Sequence, residues 1–224
     1  MVRVVLLLLL AAMPALGQAP GTASFRVLQH GEPIGSIETW VTRVDGGWHV
    51  QSNGRIGGAL NVAFRQLELR YDARWRGRFM TMEVERPTET MIVHVSVGLN
   101  TARTDIVREK EARFQSHSVS QDTIFLPAGA FGAYEAVAAR LTAAKPGMDL
   151  PLFNVPVSET RGAIDAVADE QIRTKSGTIS VKRYTLIEIR PQPTTVEIWV
   201  DRGRLVRLDV ARDGLSVIRS DVLP

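Results

Sequence analysis

The chain has 224 residues, a formal net charge of +3 and no cysteine. The absence of cysteine excludes disulfides, thiol chemistry and zinc sites with cysteine ligands. Arginine carries almost all of the positive charge. Because no aromatic-basic reading motif accompanies it, we expect no nucleic acid partner.

The first 17 residues have the pattern of a secretory signal peptide. Arg3 precedes an apolar run from Val4 to Ala12, and Ala15-Leu16-Gly17 offers small residues for cleavage before Gln18. The run is too short to span a bilayer, and no cysteine follows it that could carry a lipid. We therefore expect cleavage near Gly17–Gln18 and a soluble periplasmic protein that is not a lipoprotein. Residues 18–224 are expected to form a single β-rich domain.

Short segments in which apolar and polar residues alternate make up most of the mature chain. Leu67, Leu69 and Tyr71, for example, alternate with polar neighbours. This period of two predicts strands with one buried and one solvent-facing side. A glycine-rich interruption is predicted at 54–60. The predicted strands are 24–29, 34–44, 48–53, 64–75, 80–84, 91–97, 101–107, 113–120, 122–126, 150–157, 163–174, 178–190, 196–200, 206–210 and 215–222.

One alanine-rich segment, Ala128 to Ala144, has a helical pattern instead. Phe131, Tyr134 and Leu141 fall on one face, and Pro146-Gly147 predicts the end of the helix. A sheet of ten or more antiparallel strands curls because its twist accumulates. The fold class is therefore predicted as mainly β: a strongly curved antiparallel sheet, or half-open β-barrel, with one α-helix packed in or over the concave face.

Three segments carry a family resemblance. They are 25–28 with 32–35, Tyr71-Asp72-Ala73-Arg74-Trp75, and the closing hairpin from Val196 to Asp201. These segments resemble uncharacterised periplasmic bacterial domains of unknown function, whose overall plan is similar to the LolA/LolB-like half-barrels. Those half-barrels carry lipoproteins and lipids across the periplasm. The resemblance implies a half-barrel fold and a lipid-like ligand, and no catalytic motif accompanies it.

Soft apolar side chains are the candidates for a ligand cavity, because methionine and aromatic residues adapt to irregular acyl chains. The alternative interpretation is that they form an ordinary core. The candidate cavity or lid residues are Trp40, Phe64, Met80, Met82, Met91, Phe131, Tyr134 and Leu141.

A dense group of arginines follows strand 64–75. It could contact anionic lipid headgroups, or it could be a solvated charged edge that prevents aggregation. The candidate headgroup contacts are Arg70, Arg74, Arg76 and Arg78.

The residues that could carry chemistry are not arranged in any motif. No pair of histidines has metal-ligand spacing, and no Gly-x-Ser-x-Gly segment provides a nucleophile. The acidic residues Asp165, Asp169 and Glu170 lack the spacing of a calcium loop. We therefore expect no metal, no cofactor and no catalytic residue.

The leading functional hypothesis is a periplasmic binding protein, monomeric and not an enzyme, that holds a lipid or other hydrophobic ligand in the concave face of the sheet. Contact with the membrane surface is expected to be transient at most. The alternative is a protein-interaction or regulatory module of the cell envelope, with a core filled by its own side chains. A hydrolase is the third hypothesis and would need His49 or His94 beside a serine and an aspartate in a cleft.

Overall fold

The computed structural model describes residues 19–109, 111–189 and 193–223. The predicted signal peptide, 1–17, lies outside these residues. Within them the chain forms one sheet of 15 strands and one short α-helix. The strands are β1 Gly21–Gln29, β2 Glu32–Val44, β3 Gly47–Ile56, β4 Val62–Asp72, β5 Gly77–Arg86, β6 Glu89–Val97, β7 Thr101–Arg108, β8 Ala112–Ser118, β9 Ile124–Phe125, β10 Asp149–Asn154, β11 Ser158–Thr174, β12 Gly177–Ile189, β13 Thr194–Asp201, β14 Arg204–Val210 and β15 Leu215–Arg219.

The sheet is built from two runs of neighbouring strands that meet at the chain termini. Strands β1 to β8 follow one another outwards in one direction, and β15 back to β9 follow in the other. Strand β1 pairs with β15, so the first and last strands lie side by side at the centre of the sheet. Every pairing is antiparallel except that of β9 with β10. The sheet does not close, because β8 and β9 are its two edges.

The helix lies against the inner face of the curved sheet. It runs over α1 Tyr134–Leu141, after a 3-10 turn at Phe131–Ala133, and it packs against β13 and β14. The predicted helix, Ala128 to Ala144, was therefore too long at both ends. Gly129 adopts a φ of 76°, which breaks the helical conformation before Phe131.

One large core holds the two halves of the sheet together. Buried side chains from β1 to β7, from β10 to β15 and from α1 belong to the same cluster. The predicted inward residues Leu67, Leu69 and Tyr71 are all buried, at 1%, 0% and 3% exposure. Because strands from both halves share this core, the sheet curls around it and around the helix. The prediction of a strongly curved, mainly β fold with one helix on the concave side is confirmed.

A second, smaller layer covers part of the outer face. Alternation places Trp199 on the side opposite to Ile198 and Val200, yet Trp199 is only 7% exposed. Trp199 packs with Val181 and Val206. The long β11–β12 hairpin covers these side chains on the outer face.

Several predicted strand boundaries were wrong. Strand β3 continues through the predicted glycine-rich interruption as far as Ile56, because Ile56 pairs with Gly35. The predicted strand 122–126 shrinks to the two residues of β9, and Val155 and Val157 lie beyond the end of β10 rather than within it. In each case pairing to a neighbouring strand decides the boundary.

The curled sheet has two unlike ends. The first, called here the closed end, is where β3 begins and β4 ends. Trp48 stacks on Trp75 there with ring centroids 4.9 Å apart, and Tyr71 contacts both Trp75 and Phe125 at 5.5 and 5.8 Å. Gly77 is required beside this cluster, because a Cβ at that position would lie 2.9 Å from the Phe125 ring. The second, called the open end, is where β1 and β12 end and β4 and β13 begin.

Candidate functional site

A cavity of about 1000 Å³ opens at the open end. Antiparallel strands bring alternate strand ends to the same edge, so residues that are distant in sequence meet there. The end of β1, the start of β13, the end of β14 and the loop 126–129 all contribute to it. The volume lies at the upper end of the range typical of small-molecule sites.

The wall of the cavity is mostly apolar and buried. Its apolar side chains come from the inner faces of the strands, from the turn after β10 and from the segment that leads into the helix. They are Leu126, Phe131, Val155, Val196, Val210 and Leu215, each less than 9% exposed. Such a wall favours an apolar ligand, because burial removes apolar surface of both partners from water.

A polar pair interrupts this wall. Tyr134, the first residue of α1, donates a hydrogen bond from its hydroxyl to Glu188 Oε1 at 3.4 Å. Glu188 is 2% exposed and Tyr134 is 7% exposed, and both line the cavity. A few polar groups in an apolar pocket are what fix the orientation of a bound molecule.

The helix carrying Tyr134 is anchored by a buried ion pair. Glu135 is fully buried and receives two hydrogen bonds from Arg204, at 3.0 Å each. The backbone N–H of Leu205 and the hydroxyl of Thr39 also donate to Glu135, at 3.1 and 3.3 Å. These contacts join α1 to β14 and to β2, and they fix the position of the adjacent Tyr134.

The mouth of the cavity combines apolar and charged side chains. Leu60 and Val157 are exposed apolar residues, at 41% and 71%, and Arg212 and His30 lie on the same rim. The backbone N–H of His30 donates to the carbonyl of Gly214 at 2.7 Å. Gly214 has a φ of 57°, and a Cβ there would overlap the His30 ring, so glycine is required.

The predicted cavity residues are divided among three places. Phe131 and Tyr134 line the open-end cavity. Trp40 does not line this cavity. It lies on the outer face of β2, between the inward-facing Thr39 and Val41. There it pairs with Gln51 and lines a shallow outer groove of about 340 Å³. The remaining predicted residues do not line the cavity but belong to the core or pack against it, namely Phe64, Met80, Met82, Met91 and Leu141.

The predicted headgroup arginines lie at the closed end, and Asp72 binds the side chains of two of them, Arg76 and Arg78. Asp72 accepts hydrogen bonds from Arg76 Nε at 2.6 Å and Arg78 Nη2 at 3.0 Å, and from the backbone N–H groups of Arg74 and Arg76. Burial raises the pKa of Asp72, but these hydrogen bonds outweigh it and lower that pKa below its ordinary value. The side chains of Arg70 and Arg74 are exposed.

Strand β4 separates the arginines from the cavity. Its 11 residues run from Val62, near the loop that lines the cavity, to Asp72. At about 3.3 Å per residue that is roughly 35 Å. The four arginines therefore cannot contact the headgroup of a molecule whose polar end lies at the mouth of the cavity.

The histidines lie at separate places. His49 is 3.8 Å from Glu68, and its pKa is lowered by burial, which the Glu68 carboxylate partly opposes. His94 Nδ1 lies 3.1 Å from Thr81 Oγ1 on the outer face, and the His117 ring packs on Phe153 with centroids 5.3 Å apart. Of the four histidines, only His30 lines the open-end cavity.

The predicted acidic group does not come together. Asp169 binds Lys182 at 2.8 Å, whereas Glu170 binds Arg183 at 2.8 Å and accepts a hydrogen bond from Trp199 at 2.7 Å. Across 19–109, 111–189 and 193–223, no three His, Cys, Asp or Glu side chains are grouped as metal ligands. No helix in that part of the chain is long and apolar enough to cross a bilayer.

Comparison with known proteins gives one similar structure. No family model matches the chain, and no curated protein matches it. A crystal structure of a DUF1089 family protein from Pseudomonas aeruginosa is similar, with 16% sequence identity and a TM-score of 0.46. The similarity covers 91% of this chain and 97% of the other.

Three residues of the candidate site were missed by sequence reasoning. Glu188 and Glu135 were each visible as a single acidic residue in an apolar setting: Glu188 shares its strand face with Leu186, and Glu135 stands in an alanine-rich helix. Arg204 carried no such signal, because in the sequence it follows Arg202 and Gly203 where a turn is predicted; in the structure it begins β14.

Proposed function

We propose that this protein is a non-catalytic binding protein that holds a lipid or other hydrophobic ligand in the open-end cavity. The observation that carries the proposal is the cavity itself, about 1000 Å³ with a mostly apolar wall. Each methylene group buried there would contribute about 0.8 kcal/mol before the costs of association. A chain of eight to ten methylenes would therefore provide ample gross stabilisation.

The proposed site of action is the periplasm, and the support for it is the signal-peptide pattern of residues 1–17. A role like that of the LolA/LolB-like half-barrels is the finer form of the proposal. A curled sheet with a helix on its inner face is consistent with it. The anchoring of α1 by Glu135 and Arg204 favours a fixed wall over a mobile lid.

Two alanine-to-tryptophan variants test the proposal. Ala128 lines the cavity and is exposed, so Ala128→Trp should block the cavity without disturbing the core. Ala73 is an exposed alanine at the closed end, and Ala73→Trp is the matched control. The probe is the neutral fluorophore N-phenyl-1-naphthylamine, titrated into each protein.

We expect wild type and Ala73→Trp to bind the probe equally and Ala128→Trp to bind it at least about tenfold more weakly. Thermal unfolding should show similar Tm values for the three proteins. Equal binding by all three, or none by the wild type, would refute the cavity as the ligand site.

A second candidate function is a protein-interaction module. Strand β8 is a sheet edge whose residues are exposed on both faces over 112–116, and Phe114 is 75% exposed. Such an edge can accept an added strand from another chain. This function would be lost in a Phe114→Lys variant and retained in Ala128→Trp, which is the reverse of the outcome expected for ligand binding.

A further inference from the structure

We propose that the closed end docks on the surface of an anionic lipid bilayer, with Arg70 and Arg74 near the lipid phosphates and Leu99 inserted beside them. This goes beyond the proposed function, because the docking surface and the cavity lie at opposite ends of the sheet. It holds or fails independently of the cavity ligand.

The arginines at the closed end do not protect a sheet edge. Strand β4 pairs with β3 and β5, and β5 pairs with β4 and β6, so both are interior strands. The edges are β8 and β9. Charged side chains protect a sheet when they stand on a strand with unpaired backbone groups. Because β4 and β5 have no such free side, the positive charge is available for a partner instead.

Positive charge exceeds negative charge at this end. Asp72 is one carboxylate bound by two guanidinium groups, so that group carries a net positive charge. Arg70 and Arg74 are exposed and form no ion pair within the described part of the chain. Of the other aspartates here, Asp122 lies beside an arginine of α1, and Asp45 stands in the β2–β3 turn. The surface therefore attracts anions, such as the phosphates of a bilayer.

Exposed apolar side chains accompany the arginines. Phe79 pairs with Arg70 on the outer face and is 37% exposed. Leu99, in the β6–β7 turn, is 78% exposed, and Val44, at the end of β2, is 43% exposed. Because Phe79 also pairs with Ser96, the register brings the β6–β7 turn beside the start of β5. Binding at a bilayer interface combines buried apolar area with attraction to anionic lipids, and this surface offers both.

The turn that carries Arg74 is held in one position. Trp75 has a φ of 61°, in the left-handed region that a bulky residue rarely adopts. Its ring stacks on Trp48 with centroids 4.9 Å apart, and the backbone N–H of Arg74 donates to Asp72 at 2.9 Å. These contacts fix the backbone and leave the Arg74 side chain in solvent. A preorganised surface loses little entropy on docking.

Vesicle flotation tests the role of charge. The purified protein is mixed with vesicles of phosphatidylcholine alone, or of phosphatidylcholine and phosphatidylglycerol in equal parts. We expect at least about tenfold tighter binding to the anionic vesicles at about 0.1 M salt. The preference should vanish at about 1 M salt, where the screening length falls from about 10 Å to about 3 Å. Equal affinity for both vesicles at low salt would overturn the proposal.

Two double variants with the same net charge locate the surface. Arg70→Gln with Arg74→Gln should weaken binding to anionic vesicles by about tenfold or more. Arg55→Gln with Arg86→Gln removes two exposed arginines at the opposite strand ends and is the matched control, with the affinity of the wild type. All four side chains are exposed, so the Tm values should be similar. Equal weakening by both pairs would show that net charge alone acts, which overturns the proposal.

Fluorescent labels on single cysteines test the orientation. The chain has no cysteine, so Leu99→Cys and Val157→Cys each give one site for an environment-sensitive fluorophore. Leu99 lies at the closed end and Val157 at the mouth of the cavity, and they are 78% and 71% exposed. Adding anionic vesicles should shift the emission of the first label to shorter wavelength and leave the second unchanged. A shift at Val157→Cys, or none at Leu99→Cys, would contradict the proposed docking.

The outcomes for the two ends are distinguishable. The Arg70→Gln, Arg74→Gln variant should bind N-phenyl-1-naphthylamine as tightly as the wild type does. If the probe binds and anionic vesicles do not, the cavity proposal stands and the docking proposal falls. If vesicles bind and the probe does not, the reverse holds. An acidic protein that binds the closed end, without any vesicle binding, would assign this surface to a polypeptide and overturn the docking proposal.

Discussion

The two ends of the curled sheet differ in how the space between their strands is filled. At the closed end, four aromatic rings fill the space between the strands, and Asp72 gathers two arginines and two backbone N–H groups over them. At the open end, a volume of about 1000 Å³ is left between apolar walls. The aromatic cluster fills the space between its strands, whereas the open-end cavity leaves room for a molecule.

This difference indicates that the residues that stabilise the fold and the residues that would bind a ligand lie at different ends of the sheet. A cleft of about 1000 Å³ with a mostly apolar wall is typical of a small-molecule site. The helix α1 lies between the two ends, tied to β14 and β2 by Glu135. We infer that the closed end determines the stability of the fold and the open end its ligand.

The largest expected effect is at the closed end. Phe125 is fully buried and contacts Tyr71, so Phe125→Ala should reduce the free energy of unfolding by about 4 kcal/mol. Urea denaturation followed by tryptophan fluorescence measures this loss. At temperatures where the variant stays folded, affinity for N-phenyl-1-naphthylamine should be that of the wild type. A large loss of affinity without a loss of stability would contradict the division of roles.

The next largest loss of stability is expected at α1, the helix that lies between the two ends. Glu135→Gln leaves Arg204 without its buried charged partner, and we expect a loss of about 3 kcal/mol in the free energy of unfolding. Unlike Phe125→Ala, it should also weaken probe binding, because Tyr134 loses its fixed position. Glu197→Gln, which removes a partly exposed partner of Arg183, is the control and should cost less than about 1 kcal/mol.

The smallest effect depends on pH. Asp72→Asn should cost about 2 kcal/mol at pH 7, because several charge-assisted hydrogen bonds weaken together. The folded-state pKa of Asp72 is lowered, so its stabilising contribution is complete above the unfolded pKa of about 4 and is lost as pH falls through the folded value. Urea titrations from pH 7 to pH 3 should show the two proteins converging at low pH. A gap that stays constant would contradict this origin.

The strands could be predicted because local alternation determines which side chains face the core. Leu67 and Leu69 illustrate this: their polar neighbours fix the inner face without knowledge of any partner strand. The same alternation places Trp40 outside, beside the inward-facing Thr39 and Val41. Aromatic character alone suggested a ligand contact there, and the strand period was the better guide.

The site itself could be predicted only in part. Phe131 and Tyr134 were found because the helix must pack on the concave face. Glu188 follows Tyr134 by 54 residues, and Arg204 follows Glu135 by 69, so these pairs depend on how the strands curl. The arginines after β4 were grouped correctly in sequence, but the length of that strand places them at the wrong end for the cavity.

Native mass spectrometry of the protein, purified from its native cells and then extracted with organic solvent, tests the central claim most directly. The account predicts a bound hydrophobic molecule of defined mass on wild type and on Ala73→Trp, and none on Ala128→Trp. If wild type carries no ligand even after incubation with envelope lipids, or if Ala128→Trp carries it equally well, the open end is not a ligand site.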